Sequence, residues 1–125
     1  MHPMPDEPKP SLTLVLPAYN EAARLSSALD ELFGYLGRTG AAGSGGRSAD
    51  DLGAWEVLIV DDGSDDATVA VAEARPEAQP GPGGEPPRLT VLRRPHGGKG
   101  AAVRAGILAA ATDLVVFADS DMATP

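Results

Sequence analysis

Residues 55–68 read WEVLIVDDGSDDAT, and the fold follows from this stretch. Trp55–Val60 is an apolar run without polar alternation, the pattern of a strand covered on both faces. It runs straight into Asp61 and Asp62. Gly63 permits a tight turn, and Ser64 or Asp65 can cap a helix over Ala67–Arg75. The unit is therefore strand, acidic turn, helix.

The same unit recurs on either side. Leu12–Leu16 (LTLVL) is a strand halted by Pro17, and Asn20 is a candidate N-cap for the helix that follows. That helix covers Glu21–Leu36, with Leu25, Leu29, Leu32, Phe33 and Leu36 on one face and Glu21 at its positive end. Arg88–Leu92 is a third strand. Gly98–Ala111 is a helix of small residues suited to close packing on a sheet, and Leu114–Ala118 is a fourth strand. The order β-α-β-α-β-α-β with right-handed crossovers predicts an α/β fold: a Rossmann-like parallel sheet with helices on both faces. Ligands of such sheets sit beyond the carboxyl ends of the strands, and the polar segments PAYNE, DDGSDD, RRPHGGKG and DSD all fall there.

The whole chain fits this frame. Its 125 residues suit one domain that buries a real core. The absence of cysteine excludes a disulfide framework, a thiolate zinc site and a cysteine nucleophile. A net charge of −8 argues against nucleic acid as a partner. No apolar run nears the roughly 20 residues that span a bilayer, and the N-terminus lacks a signal pattern, so the expectation is a cytoplasmic protein. The 15 Gly and 12 Pro are many for this length. They concentrate in residues 1–10, expected as a disordered tail, and in 37–54 and 76–87, expected as flexible insertions within a domain over 11–125.

Each polar segment offers chemistry. Asp119 and Asp121, flanking Ser120 at the end of the fourth strand, can present oxygens to Mg²⁺ or Mn²⁺, although such a pair alone also suits a plain polar turn. Asp61 and Asp62 can accept hydrogen bonds from a base or ribose, and Tyr19 can stack on a base or simply pack. Lys99 and the amides opening the third helix can attract a diphosphate. This is no P-loop: Arg93 stands where that motif needs its first Gly, and Gly100 where it needs Ser or Thr. His96, with no carboxylate partner evident in sequence, reads as a loop residue. Acids at strand ends also occur in receiver-type signalling domains, but here the acid pair follows the second strand rather than the first.

PAYNE, VDDGSDDAT, GGKGAAVRAG and FADSDMATP, in this order and each after a strand, resemble the nucleotide-binding half of family 2 glycosyltransferases, which implies a GT-A fold. The last two segments are similar to those of the dolichyl- or polyprenyl-phosphate β-glucosyltransferase subgroup. The resemblance implies a nucleotide-sugar site of Pro17, Ala18, Tyr19, Glu21, Asp61, Asp62, Lys99, Asp119 and Ser120, with Asp119 and Asp121 as metal ligands. Asp62 would contact the base. It also implies a UDP-sugar donor, a lipid-phosphate acceptor at the inner membrane face, and inverting transfer of a sugar, glucose by the subgroup. The family's base and acceptor pocket lie beyond the position of Pro125. The chain therefore reads as the truncated donor-binding half of an enzyme, the alternative being a non-catalytic nucleotide-binding module that needs a C-terminal half or partner. His96 stands where many relatives have Asn, and Thr112 where a Gly is common.

Overall fold

The computed structural model describes residues 10–42 and 54–118. Strand β1 (Leu12–Ala18) leads to helix α1 (Ala22–Ala42), then β2 (Trp55–Asp61), a short helix α2 (Thr68–Glu73), β3 (Leu89–Arg93), α3 (Lys99–Ala109) and β4 (Leu114–Phe117). All four strands are parallel, in the order β3-β2-β1-β4. The α/β, Rossmann-like arrangement read from the sequence is therefore the one observed.

Both faces of the sheet are covered, as the unbroken apolar strands require. On one face Leu16, Ala18, Val57 and Ile59 pack with Leu25 and Leu29 of α1 and with Ala72 and Leu89. On the other, Val15, Leu58 and Val60 pack with Ala102 of α3. A Cβ at Gly106 would lie 2.4 Å from Val15 Cγ1 and 2.9 Å from Val60 Cγ2, so α3 rests its backbone directly on the sheet. The small residues of this helix make that approach possible.

Several boundaries differ from the sequence reading for physical reasons. Pro17 does not halt β1, which continues to Ala18. Ala18 accepts from the Asp62 amide on the β2 side, whereas Val15 accepts from the Ala118 amide on the β4 side. Alternation then turns the Pro17 nitrogen toward β4, past the end of that ladder, where no donor is needed. Helix α1 runs on through residues 37–42, which were expected to begin a flexible stretch. The Asp30 carboxylate and the Ser26 carbonyl of that helix are gripped by Arg75, at 2.9 and 3.0 Å.

Residues 76–87 are likewise more than a featureless connection. A single 3₁₀ turn, Pro76–Ala78, starts with proline at a favoured position. The Glu77 carbonyl accepts from the Arg88 amide, and the Glu85 carboxylate takes the Gly83 amide at 3.1 Å. One backbone and one side-chain acceptor thus close turns within this Gly- and Pro-rich stretch. The tail 1–9 and residues 43–53 lie outside the described residues.

Candidate functional site

The carboxyl ends of β1, β2 and β3 meet around a cavity of about 250 Å³. Pro17, Ala18, Tyr19, Glu21, Asp62 and Lys99 all line it, joined by His96, Gly98 and Ala102. Six of the residues singled out from sequence are thus brought together. Asp119, Ser120 and Asp121 fall outside the described residues. The last described residue before them, Ala118, donates its amide to Val15 on β1, so β4 delivers the chain to this same end of the sheet.

The two adjacent acids have different tasks. Successive side chains of a strand point to opposite faces, and Asp61 does not reach the cavity. Its Oδ1 accepts from Ser64 Oγ at 2.6 Å and its Oδ2 from the Ser64 amide at 3.0 Å. Asp61 therefore closes the turn: both of its oxygens accept from Ser64, and it is not among the residues lining the cavity. Ser64 caps no helix either: besides holding Asp61 it accepts the Asn20 amide at 2.8 Å.

Asp62 lines the cavity but is only 3% exposed. Oδ1 accepts from the Gly97 amide at 3.0 Å and Oδ2 from the Gly98 amide at 2.9 Å. Arg94 Nε stands 3.4 Å from Oδ1. Burial on its own would raise the Asp62 carboxyl, but the two glycine amides, with His96 and Arg94, outweigh it and hold the group below the ordinary carboxylate range. Asp62 is thus a fixed anion that ties the segment before α3 to the end of β2.

This tie depends on two glycines. Gly98 sits at φ +98°, a conformation that aims its amide at Asp62. Gly63, at φ +83°, leaves room for a backbone contact: a Cβ there would lie 2.7 Å from the His96 amide nitrogen.

His96 is the residue that sequence reasoning missed. It does have a carboxylate partner, 34 positions away in the chain and so invisible as local spacing. Its Nδ1 lies 2.9 Å from Asp62 Oδ2 and 3.1 Å from the Asp62 carbonyl oxygen. Its ring stacks on Tyr19, with centroids 4.5 Å apart and planes 29° from parallel. Tyr19 is 41% exposed, so the stacked pair forms an open aromatic wall.

The PAYNE and DDGSDD segments are bolted together through their polar atoms. Asn20, at φ +52°, does not cap α1; its Oδ1 accepts the Asp65 amide at 2.8 Å. The Glu21 carbonyl accepts the first helical bonds, from Arg24 and Leu25, and the Glu21 amide donates to Thr68 Oγ1 at 2.8 Å. Asp66 takes the Ala22 amide at 3.2 Å and the Thr68 amide at 2.9 Å, and so serves the starts of α1 and α2 at once. Its carboxyl is held below the ordinary range, chiefly by the Thr68 hydroxyl. Thr68 is fully buried.

Among the described residues no group of three or more His, Asp or Glu could hold a metal ion. Nor, among them, is any helix long and apolar enough to cross a membrane. The chemistry on hand at the cavity is an aromatic wall, a buried anion, and the N-terminus of an eleven-residue helix carrying Lys99.

Comparison with known proteins agrees with this layout. The model of the family described as glycosyl transferase family 2 matches residues 13–125. A dolichyl-phosphate beta-glucosyltransferase of Drosophila melanogaster is 40% identical over 119 residues, 95% of this chain and 33% of its own. The human protein of that name is 34% identical over the same share. Among solved structures, a mannosyltransferase from Pyrobaculum calidifontis in complex with GDP-Man and Mn²⁺ superposes with a TM-score of 0.63 at 25% identity. It is matched over 96% of this chain and 31% of its own. The chain spans about a third of the length of these relatives.

Proposed function

Because the chain belongs to glycosyl transferase family 2, we propose that the cavity at the carboxyl ends of β1–β3 binds the nucleotide of an activated sugar donor. The observation that carries this reading is the convergence of Tyr19, His96, Asp62 and the Gly98–Lys99 helix start on one cavity. The Tyr19–His96 wall suits the flat face of a base. The α3 N-terminus and Lys99 suit a diphosphate, because amides and a cation there favour negative charge.

The relatives named for dolichyl phosphate and glucose support glucose as the transferred sugar and a polyprenyl or dolichyl phosphate as acceptor, and the donor in this reading is UDP-glucose. In this reading an acceptor phosphate oxygen attacks the anomeric carbon. The bond from that carbon to the diphosphate breaks, its electron pair leaves with the diphosphate, and the anomeric configuration inverts. An acceptor that is already an anion needs no general base to remove a proton. Such an acceptor places the chemistry at a membrane surface.

Asp119 and Asp121 are the proposed ligands of a hard divalent cation, Mg²⁺ or Mn²⁺. They follow Ala118 by one and three positions in the sequence, and Ala118 itself lies at the end of the sheet where the cavity lies; the solved relative with Mn²⁺ supports this use. The chemistry such an ion supplies when bound is neutralisation of charge on a leaving diphosphate.

Isothermal calorimetry of the chain with UDP and with GDP, each with and without Mn²⁺, tests the reading. Metal-dependent binding that Asp121→Ala weakens is expected. Absence of binding to either nucleotide refutes it. A second reading, a nucleotide-binding module inactive on its own, rests on the chain spanning a third of its relatives. Turnover of UDP-glucose and polyprenyl phosphate by this chain alone would refute that alternative.

A further inference from the structure

We infer that the outer edge of β4 is the docking surface for a second copy of this chain. The two β4 strands pair antiparallel about a two-fold axis through Val116 and join two four-stranded sheets into one of eight. The inference does not depend on the nucleotide reading.

The strand order puts β4 at the edge of the sheet, beside β1. The Leu114 amide donates to the Ser11 carbonyl and the Ala118 amide to the Val15 carbonyl, both on the β1 side. Alternation then turns the N–H and C=O groups of Val115 and Phe117 outward, and among the described residues no strand meets them. Nothing on this edge keeps other strands away: Leu114–Phe117 (LVVF) has neither charge nor proline. Leu114, Val116 and Phe117 are 44%, 49% and 52% exposed. Ile107 and Leu108, near the end of the helix that leads into β4, are exposed as well. An apolar patch of this kind marks an interaction surface.

The backbone decides the occupant. Lipid offers no partner for an open N–H or C=O, so the edge calls for another strand. The segments of this chain outside the described residues, 1–9, 43–53 and 119–125, contain only Met1, Met4, Leu52 and Met122 as large apolar residues. A second copy supplies a strand and apolar surface together. Pairing about Val116 sets Val115 of each copy opposite Phe117 of the other. Each such pair exchanges two N–H···O bonds, so the four outward N–H groups and four outward C=O groups are all satisfied. Centring on Val115 instead would set Phe117 against Asp113, whose amide already donates to Ser11 Oγ. On one face Val116 meets its own copy at the close spacing of a non-hydrogen-bonded pair. On the other, each Phe117 covers Val115, which already packs with Val15 and Ala102. The cavity-lining residues named above are not on β4, so pairing leaves nucleotide binding as it is.

Sedimentation equilibrium of the 125-residue chain tests this. The interface is small, so a dimer with a dissociation constant of about 10–100 µM is expected. Val116→Lys and Val116→Glu each set like charges across the axis and should weaken the dimer by about tenfold or more. An equimolar mixture of the two should restore it, because the axis then pairs lysine with glutamate. UDP binding should be unchanged in both. Hydrogen exchange of wild type needs no variant: between about 5 and 500 µM chain, the Val115 and Phe117 amides should slow by about threefold or more, by mass action. A wild type that stays monomeric at 500 µM, exchange at Val115 and Phe117 that ignores concentration, a folded Val116→Lys that dimerises like wild type, or a mixture that stays monomeric each overturns the inference.

Discussion

Replacing Gly106 by alanine sets two well-measured effects against each other. In the interior of an exposed helix the change stabilises by about 1 kcal/mol, through backbone entropy. At Gly106 the added methyl would arrive 2.4 Å from Val15 Cγ1 and 2.9 Å from Val60 Cγ2. Carbon atoms pack at about 3.5–4.0 Å, so the first contact is short by about 1 Å. Neither partner can yield. Both valines are fully buried, on central strands, with branched side chains stiff at χ1. Helix α3 would have to lift off the sheet, and overpacking of this kind costs about 1–3 kcal/mol. With the clash at the upper end, the net change is a loss of about 2 kcal/mol, or a fall in Tm of about 8–16 °C for a domain of this size. Because Gly98, the residue just before α3, is held by Asp62, lifting the helix should also slacken nucleotide binding. Thermal and urea melts of wild type and Gly106→Ala, followed by calorimetry with UDP, measure both effects. A variant more stable than wild type by about 1 kcal/mol would show that helix propensity wins and that the helix does not lie on the strands as described.

Three further outcomes can be checked by melts. Asp62→Asn replaces one acceptor oxygen by a donor that faces a glycine amide, and should cost about 2–3 kcal/mol. The folded-state carboxyl lies below its unfolded value, so its stabilisation is complete above the ordinary carboxylate range and is lost as the pH falls through the lowered value; wild type should therefore lose stability on acidification more steeply than Asp62→Asn. Gly63→Ala places a side chain at φ +83° and 2.7 Å from the His96 amide, and should cost about 2–3 kcal/mol while weakening UDP binding. Arg75→Met should cost about 2 kcal/mol, because it leaves the half-buried Glu77 carboxylate without its cation while moving no residue of the cavity.

The layered fold was legible because it rests on local pattern. Val57–Val60 and Leu14–Leu16 cannot be half-exposed strands, and Leu25 and Leu29 fall on one helical face at any reasonable boundary. Pro17, Tyr19, Glu21, Asp62 and Lys99 could be placed together because parallel strands bring their carboxyl ends to one edge. The division of labour between Asp61 and Asp62 was not legible. It depends on which of two neighbours the strand turns outward, and on glycine amides 35 and 36 positions away. The same distance concealed the partner of His96. Asn20 and Ser64 looked like caps because their residue types favour caps, yet tertiary contacts spend their polar atoms on each other's loops.

The carboxylate of Asp66 joins the first turns of two helices that lie more than forty residues apart in the chain. Neither α1 nor α2 has an acid in its own first turn, so the start of each depends on one shared anion from outside. Fraying at either helix would therefore be transmitted to the other, and with it to Tyr19, which is carried between them. Amide hydrogen exchange at Ala22 and Thr68 should then rise and fall together, as a single opening unit at the mouth of the cavity.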